Sequence, residues 1–160
     1  MDFDEAFQLL IGNEGGYSNN PADPGGETMW GVTARVARAR GYTGAMRDLP
    51  LATAKAIAKA EYWDPFECDQ LPTEVRFQVL DAAYNGGAPA KWLQQAAGVS
   101  VDGVIGPQTL GALNAADPDK IVMRFDAYRL QYLARLRGEL PEFAGGWMNR
   151  IARNLITAAQ

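Results

Sequence analysis

The chain has 160 residues, of which 48% are hydrophobic and 21% are charged, a composition typical of one globular domain. It contains one cysteine and no histidine, which excludes an intramolecular disulfide, Cys-His and Ser-His catalytic pairs, and the usual zinc sites. The net charge of −4 argues against binding to nucleic acid. Acid–base chemistry would therefore depend on carboxylates.

The N-terminal residues are acidic and lack the basic and apolar regions of a signal peptide. No stretch of about 20 apolar residues predicts a membrane span. We expect a soluble protein made in the cytoplasm, without stable membrane insertion. If its target lies outside the cytoplasm, another component must let it through.

The first helix is predicted over residues 2–13, where apolar residues recur at the spacing of one helix face. Asp2 with Glu5 resembles a capping box, although Asp4 is an alternative cap. Glu14 continues the apolar face, so we expect a partly desolvated carboxylate in the last turn of this helix.

Two effects would raise the pKa of Glu14, namely burial and the negative end of the helix dipole. A carboxyl group that stays protonated near neutral pH is suited to general-acid catalysis. The alternative interpretation is a solvated glutamate that merely follows a helix.

Residues 18–28 contain many turn-forming residues and predict a constrained loop. A short strand follows at residues 29–33, and Thr33 is predicted to cap a small helix that ends near Arg40. Further helices are predicted after Pro50, and over residues 73–84, 88–97, 107–113, 118–140 and 146–158. The fold class is therefore all-α, with seven to eight helices and at most a short β-hairpin after the first helix.

Hydrolysis of a glycosidic bond uses one acid on the leaving oxygen and usually a second carboxylate. Glu14 is the candidate acid, and Asp23 in the loop is the candidate second carboxylate, with Glu27 as its rival. The order of Glu14, Asp23 and Thr28 resembles that of phage-type lysozymes, but one residue fewer separates Asp23 from Thr28 here. Asp23 as a turn former without a chemical role is the alternative.

Sugars are held by aromatic faces and by amides that bond hydroxyl and acetamido groups. Tyr17 and Trp30 flank the loop and Asn85 ends a helix, so these three residues are candidate substrate contacts, together with Glu27. The alternative for the aromatic residues is a place in the core. Trp63 and Trp92 are predicted to be mainly core residues.

Three segments in the first third of the chain resemble the signature of glycoside hydrolase family 108, which comprises phage endolysins and secretion-associated muramidases. They are residues 14–17 (EGGY), 20–28 (NPADPGGET) and 30–33 (WGVT). The resemblance implies an N-acetylmuramidase whose single catalytic glutamate corresponds to Glu14.

The second half is similar to the peptidoglycan-binding region that follows in this family. The similar segments are residues 81–85, 93–95 and 102–110. A helix start at Gly106-Pro107 with a purely structural role is the alternative for the last segment. We expect one lysozyme-like domain over residues 1–160, with the catalytic glutamate and loop in 1–70 and a helical lobe in 71–160.

The resemblance implies cleavage of the β-1,4 bond between N-acetylmuramic acid and N-acetylglucosamine in peptidoglycan, in cell-wall lysis, with no metal or organic cofactor. The expected partners are peptidoglycan glycan strands and a holin or pore. A lytic transglycosylase, a non-catalytic wall-binding module and a phage structural or adaptor protein are the alternatives.

Overall fold

The computed structural model describes residues 1–12, 16–19, 26–138 and 141–158. Over these residues the chain forms eight α-helices and one two-stranded antiparallel hairpin, which confirms the predicted all-α class with a short hairpin. The chain divides into two units, here called the N-terminal unit (residues 2–65) and the C-terminal unit (residues 66–160 together with Met1). That residues 1–160 form one domain stays a prediction.

The first helix, α1 (Phe3–Ile11), begins at the predicted capping box. The Asp2 carboxylate accepts a hydrogen bond from the Glu5 backbone at 2.9 Å, and the Glu5 carboxylate accepts one from the Asp2 backbone at 2.9 Å. The helix ends at Gly12, whose φ of 46° favours glycine. It is therefore shorter than predicted, and its last turn precedes Asn13.

The hairpin consists of β1 (Thr28–Met29) and β2 (Val32–Thr33). Trp30 and Gly31 form its two-residue turn, and both have positive φ, at 54° and 74°. Two positive φ values define a type I′ turn, whose twist matches that of the paired strands. The hairpin leads directly into α2 (Ala34–Ala39), which Thr33 caps as predicted.

The remaining helix of the N-terminal unit is α3 (Leu51–Ala58), which continues into a π-helical turn at Lys59–Trp63 that the sequence did not predict. Trp63 is fully buried and packs edge-on against Phe3, with ring centroids 5.3 Å apart. The prediction that Trp63 is a core residue is confirmed.

The C-terminal unit contains five helices in the part of the chain that the structure describes. Trp92 is 5% exposed and packs edge-on against Phe125, which confirms its predicted place in the core. Gly98 ends one helix in the left-handed conformation, and proline occupies the first turn of the next two helices. The five are α4 (Thr73–Tyr84), α5 (Pro89–Ala97), α6 (Pro107–Ala115), α7 (Pro118–Leu136) and α8 (Pro141–Ala158).

The boundary between α7 and α8 differs from the prediction. Pro141 was expected to end the long helix, but α7 ends at Leu136 and Pro141 is the first residue of α8. Proline is compatible with both places. It cannot continue a helix, and in the first turn of a helix the N–H that it lacks would have no intrahelical partner.

Among the described helices, none combines the length and the apolar character that crossing a membrane requires.

Candidate functional site

The two predicted catalytic carboxylates, Glu14 and Asp23, lie outside the described residues. Four other predicted site residues lie in the N-terminal unit, in or beside the hairpin: Tyr17, Glu27, Thr28 and Trp30. Asn85 lies in the C-terminal unit, at the end of α4. The geometry below therefore concerns two separate sets of residues.

Glu27 is held in place by Tyr17. The Tyr17 hydroxyl donates a 2.5 Å hydrogen bond to Oε1 of Glu27, and both side chains are half-buried. The Arg47 guanidinium carbon lies 5.1 Å from the centroid of the Tyr17 ring, a cation–π distance. The hydrogen bond orients the Glu27 carboxylate, and the cation–π contact with Arg47 orients the Tyr17 ring.

The backbone of Thr28 is paired on both sides. Its N–H donates to the Ser18 carbonyl at 2.8 Å, and the Ser18 N–H donates to the Thr28 carbonyl at 2.9 Å. On the other side Thr28 pairs with Thr33 in the hairpin. Because the preceding Glu27 carbonyl also accepts from Ala34 at 2.8 Å, the hairpin fixes the backbone of both Glu27 and Thr28.

Trp30 occupies a turn position that rarely carries a large side chain. Its φ of 54° is in the left-handed region, which costs a non-glycine residue of order 1 kcal/mol. The indole Nε1 donates a 2.9 Å hydrogen bond to the Leu49 carbonyl, and the residue is half-buried. An indole retained in a strained conformation at a hairpin tip is a candidate ligand contact.

In the C-terminal unit, one buried carboxylate contacts side chains from two other helices and from the C-terminal cap of its own helix. Asp81 on α4 is 2% exposed. Its Oδ2 lies 2.7 Å from Nη1 of Arg129 on α7 and accepts a 2.8 Å hydrogen bond from Asn154 on α8. Its Oδ1 lies 3.4 Å from Nη1 of Arg150 on α8 and accepts a 3.1 Å hydrogen bond from Asn85.

Three of these partners, Asn85, Arg129 and Arg150, also line a pocket of about 260 Å³. Two hydrogen bonds fix Asn85, because its Nδ2 donates both to Oδ1 of Asp81 and to the Asp81 backbone carbonyl, the latter at 2.8 Å. The other lining residues are mostly apolar or aromatic: Gly86, Gly87, Tyr132, Leu133, Leu136 and Trp147.

The aromatic walls of the pocket are supported from behind. Tyr132 packs against Trp92 with centroids 5.4 Å apart, and Trp147 stacks on Phe143 at 6.2 Å. Gly87 must remain glycine, because a Cβ there would lie 2.4 Å from the Trp92 ring and its φ is 156°. The pocket therefore has fixed walls.

Asp126 on α7 is a second buried acid near this cluster. Its side chain is 1% exposed, and neither carboxyl oxygen has a hydrogen-bond partner. Burial, opposed by the Arg129 charge and reinforced by the Asp81 charge, raises the pKa of Asp126 to about 7. Asp126 therefore titrates near neutral pH.

The segment that resembles a wall-binding element is organised by Gln94. This buried amide donates to Asp102 Oδ1 at 2.6 Å and to the Val104 carbonyl at 3.0 Å, and it accepts from the Gly103 N–H at 2.8 Å. Hydrogen bonds from Val104 and Gln94 lower the pKa of Asp102. These residues shape the turn before α6, in agreement with the structural alternative.

Among the described residues, no group of three or more His, Cys, Asp or Glu side chains could hold a metal ion.

Sequence reasoning missed Arg129, Arg150, Asn154 and Asp126. A signal was present for Arg129 and Asn154, because each replaces an apolar residue in the stripe of its helix. Arg129 follows Phe125 by four residues and Asn154 follows Ile151 by three. The same signal had singled out Glu14.

Half-buried carboxylate and aromatic side chains in and beside the hairpin are residue types that can contact sugars. Comparison with known proteins places the chain among the glycoside hydrolases. It belongs to the glycosyl hydrolase 108 family, whose model matches residues 7–87. A predicted peptidoglycan domain matches residues 88–152, which supports peptidoglycan as the partner and the cell wall as the place of action.

A solved structure supports the same assignment. The chain is similar to SagA from Brucella abortus, with 33% identity and a TM-score of 0.88 over 98% of this chain and 93% of that one. A search of the curated proteins finds no match. The predicted family is thus confirmed, and peptidoglycan hydrolysis is the activity that the two matched regions support.

Proposed function

We propose that the protein is an N-acetylmuramidase of the lysozyme type, which hydrolyses the β-1,4 bond between N-acetylmuramic acid and N-acetylglucosamine in cell-wall lysis. The observation that carries the proposal is the family match over residues 7–87, which includes every carboxylate of the loop region. Glu14 is the general acid, since it stands in the segment that resembles the catalytic signature.

Asp23 is our preferred second carboxylate, which positions water or stabilises the positive charge of the transition state. Glu27 is the rival. Its contact with Tyr17 supports an oriented carboxylate that accepts hydrogen bonds, as in substrate binding or water positioning. In this proposal Tyr17 and Trp30 contact the sugar rings, and Thr28, in β1 of the hairpin, is a further residue of the same site.

The test is mass spectrometry of the muropeptides that wild type, Glu14→Gln and Glu27→Gln release from purified peptidoglycan. We expect reducing N-acetylmuramic acid ends from wild type and a loss of about 10² or more in rate for Glu14→Gln. Because Glu27 is not the acid in this proposal, Glu27→Gln should retain more activity than Glu14→Gln.

Other outcomes would identify a different activity. Anhydro ends would identify a lytic transglycosylase. Reducing N-acetylglucosamine ends would identify a glucosaminidase, and full activity of Glu14→Gln would exclude Glu14 as the acid. No soluble product from any variant would identify a non-catalytic wall-binding protein. Release through a holin or similar pore stays a prediction.

A further inference from the structure

We propose that the pocket of the C-terminal unit binds a carboxylate of the peptide stem of peptidoglycan, through Arg129 and Arg150. The inference rests on the proposed function, in which peptidoglycan is the substrate. It assigns the sugar chain to the loop and hairpin and the peptide to this pocket.

The charges of the pocket favour a monoanion. Two arginines line it, and Asp81 is the one carboxylate within ion-pair distance of either, at 2.7 Å from Arg129 and 3.4 Å from Arg150, among the described residues. Asp81 neutralises one of the two positive charges, and the second is available to a ligand anion when Asp126, whose pKa is about 7, is protonated. A planar guanidinium is suited to a carboxylate, with which it forms two parallel hydrogen bonds.

Arg129 and Arg150 play different parts in the pocket because their exposure differs. Arg129 is 4% exposed, and although its Nη1 forms an ion pair with Asp81, that atom has no hydrogen-bond partner of acceptable geometry. Because Nη1 is itself buried against Asp81, Arg129 contributes its positive charge to the pocket, and Arg150, which is 41% exposed, is the arginine that a ligand carboxylate can contact directly.

The shape of the pocket indicates what carries the carboxylate. Its volume of about 260 Å³ is below the roughly 300–1,000 Å³ of pockets for whole ligands, so it fits one end of a larger molecule. Tyr132, Trp147 and two leucines form apolar walls beside the arginines. A terminal amino acid with a small apolar side chain, such as alanine, combines a carboxylate with a methyl group.

Asp81 acts as a positioning residue for this site. It contacts Asn85, Arg129 and Arg150 at once, and these three side chains belong to α4 and its C-terminal cap, α7 and α8. One buried carboxylate thus sets the geometry of the polar side of the pocket. The side-chain oxygen of Asn85 is an acceptor for a peptide N–H.

The test measures binding of a sugar-free stem peptide to the full-length protein by calorimetry. A peptide without sugar is not a muramidase substrate, so the result does not depend on Glu14. Arg150→Gln is the main variant, because Arg150 is 41% exposed and its loss should leave the protein folded. Arg153→Gln, which removes an exposed arginine from the same helix, is the matched control.

We expect Arg150→Gln to weaken peptide binding about tenfold or more, and Arg153→Gln to change it less than twofold. Converting the peptide carboxyl groups to carboxamides should have a similar effect to Arg150→Gln. Equal binding of the amidated peptide, no effect of Arg150→Gln, or binding of inorganic phosphate as tight as that of the peptide would overturn the proposal.

The tryptophans offer a second measurement that locates the ligand. The chain has four, and only Trp147 lines the pocket, whereas Trp63 is buried in the N-terminal unit. The stem peptide should shift the indole N–H resonance of Trp147 and leave that of Trp63 unchanged. Shifts confined to Trp30 would place the peptide at the hairpin and contradict the proposal.

Discussion

In the N-terminal unit the Tyr17 hydroxyl meets the Glu27 carboxylate at a half-exposed surface, whereas in the C-terminal unit the Asp81 carboxylate is 2% exposed and contacts side chains of α7 and α8. Exposed polar groups remain hydrated and contribute little to stability when they pair. Buried groups have lost their water and depend on every partner. The first arrangement is suited to chemistry on a substrate, and the second fixes the shape of a pocket.

The largest effect should follow from removing the central carboxylate. Asp81→Asn removes the ion-pair partner of the buried Arg129 guanidinium, which should lower the free energy of unfolding by about 3–5 kcal/mol. Chemical denaturation measures this change. Asp64→Asn is the control, because it breaks an exposed ion pair with Lys59 in the other unit and should cost less than about 1 kcal/mol.

Equal losses in these two variants would show that the Asp81 cluster is hydrated, and the contrast between the units would be wrong.

The next effect concerns the pH dependence of stability. The pKa of Asp126 is about 7 in the folded protein and near its ordinary 3.8 in the unfolded chain, so between these pH values only the folded state holds the proton. Its contribution to stability is therefore full below about pH 4, falls as pH rises to about 7, and is constant above that. The total fall is roughly 4 kcal/mol, because each pH unit corresponds to about 1.4 kcal/mol.

Asp126→Asn cannot titrate, so the stability difference between wild type and variant should change by roughly this amount from pH 4 to pH 7. Denaturation at several pH values provides the measurement, and other carboxylates cancel in the difference. A difference that is independent of pH would show that Asp126 is ionised in the folded protein throughout.

The smallest effect should come from the half-exposed site. Tyr17→Phe removes the hydroxyl that orients Glu27 but keeps the ring against Arg47, and it should cost about 0.5–1.5 kcal/mol of stability. Tyr42→Phe is a matched control, since the Tyr42 hydroxyl donates to the Ala45 carbonyl in the same unit. Only Tyr17→Phe should reduce hydrolysis, by about tenfold. Equal activity of the two variants would show that the orientation of Glu27 by Tyr17 does not affect hydrolysis.

Local signals in the sequence predicted most of the fold. Asp2 with Glu5, Thr33, Pro107 and Pro118 each mark a helix start that the structure confirms. Pro141 was misplaced because proline both follows helices and begins them. The π-helical turn at residues 59–63 has no local sequence signal that would have predicted it.

The site was less predictable, for a physical reason. The chemistry of the loop was inferred from unusual residues that lie close together in sequence, from Glu14 to Thr33. The partners of Asp81 lie far along the chain, with Arg150 at 69 residues and Asn154 at 73. Periodicity can show that a polar residue faces the core, but it does not identify the residue that neutralises it.

The central claim is that the N-terminal unit supplies the chemistry and the C-terminal unit recognises the peptide stem. The most direct test is the ratio of kcat/KM for peptide-bearing glycan to kcat/KM for glycan stripped of peptide. Glu14→Gln should lower both values by about 10² or more and leave the ratio unchanged, whereas Arg150→Gln should lower the ratio about tenfold. An unchanged ratio for Arg150→Gln, with Arg153→Gln as the control, would contradict the account.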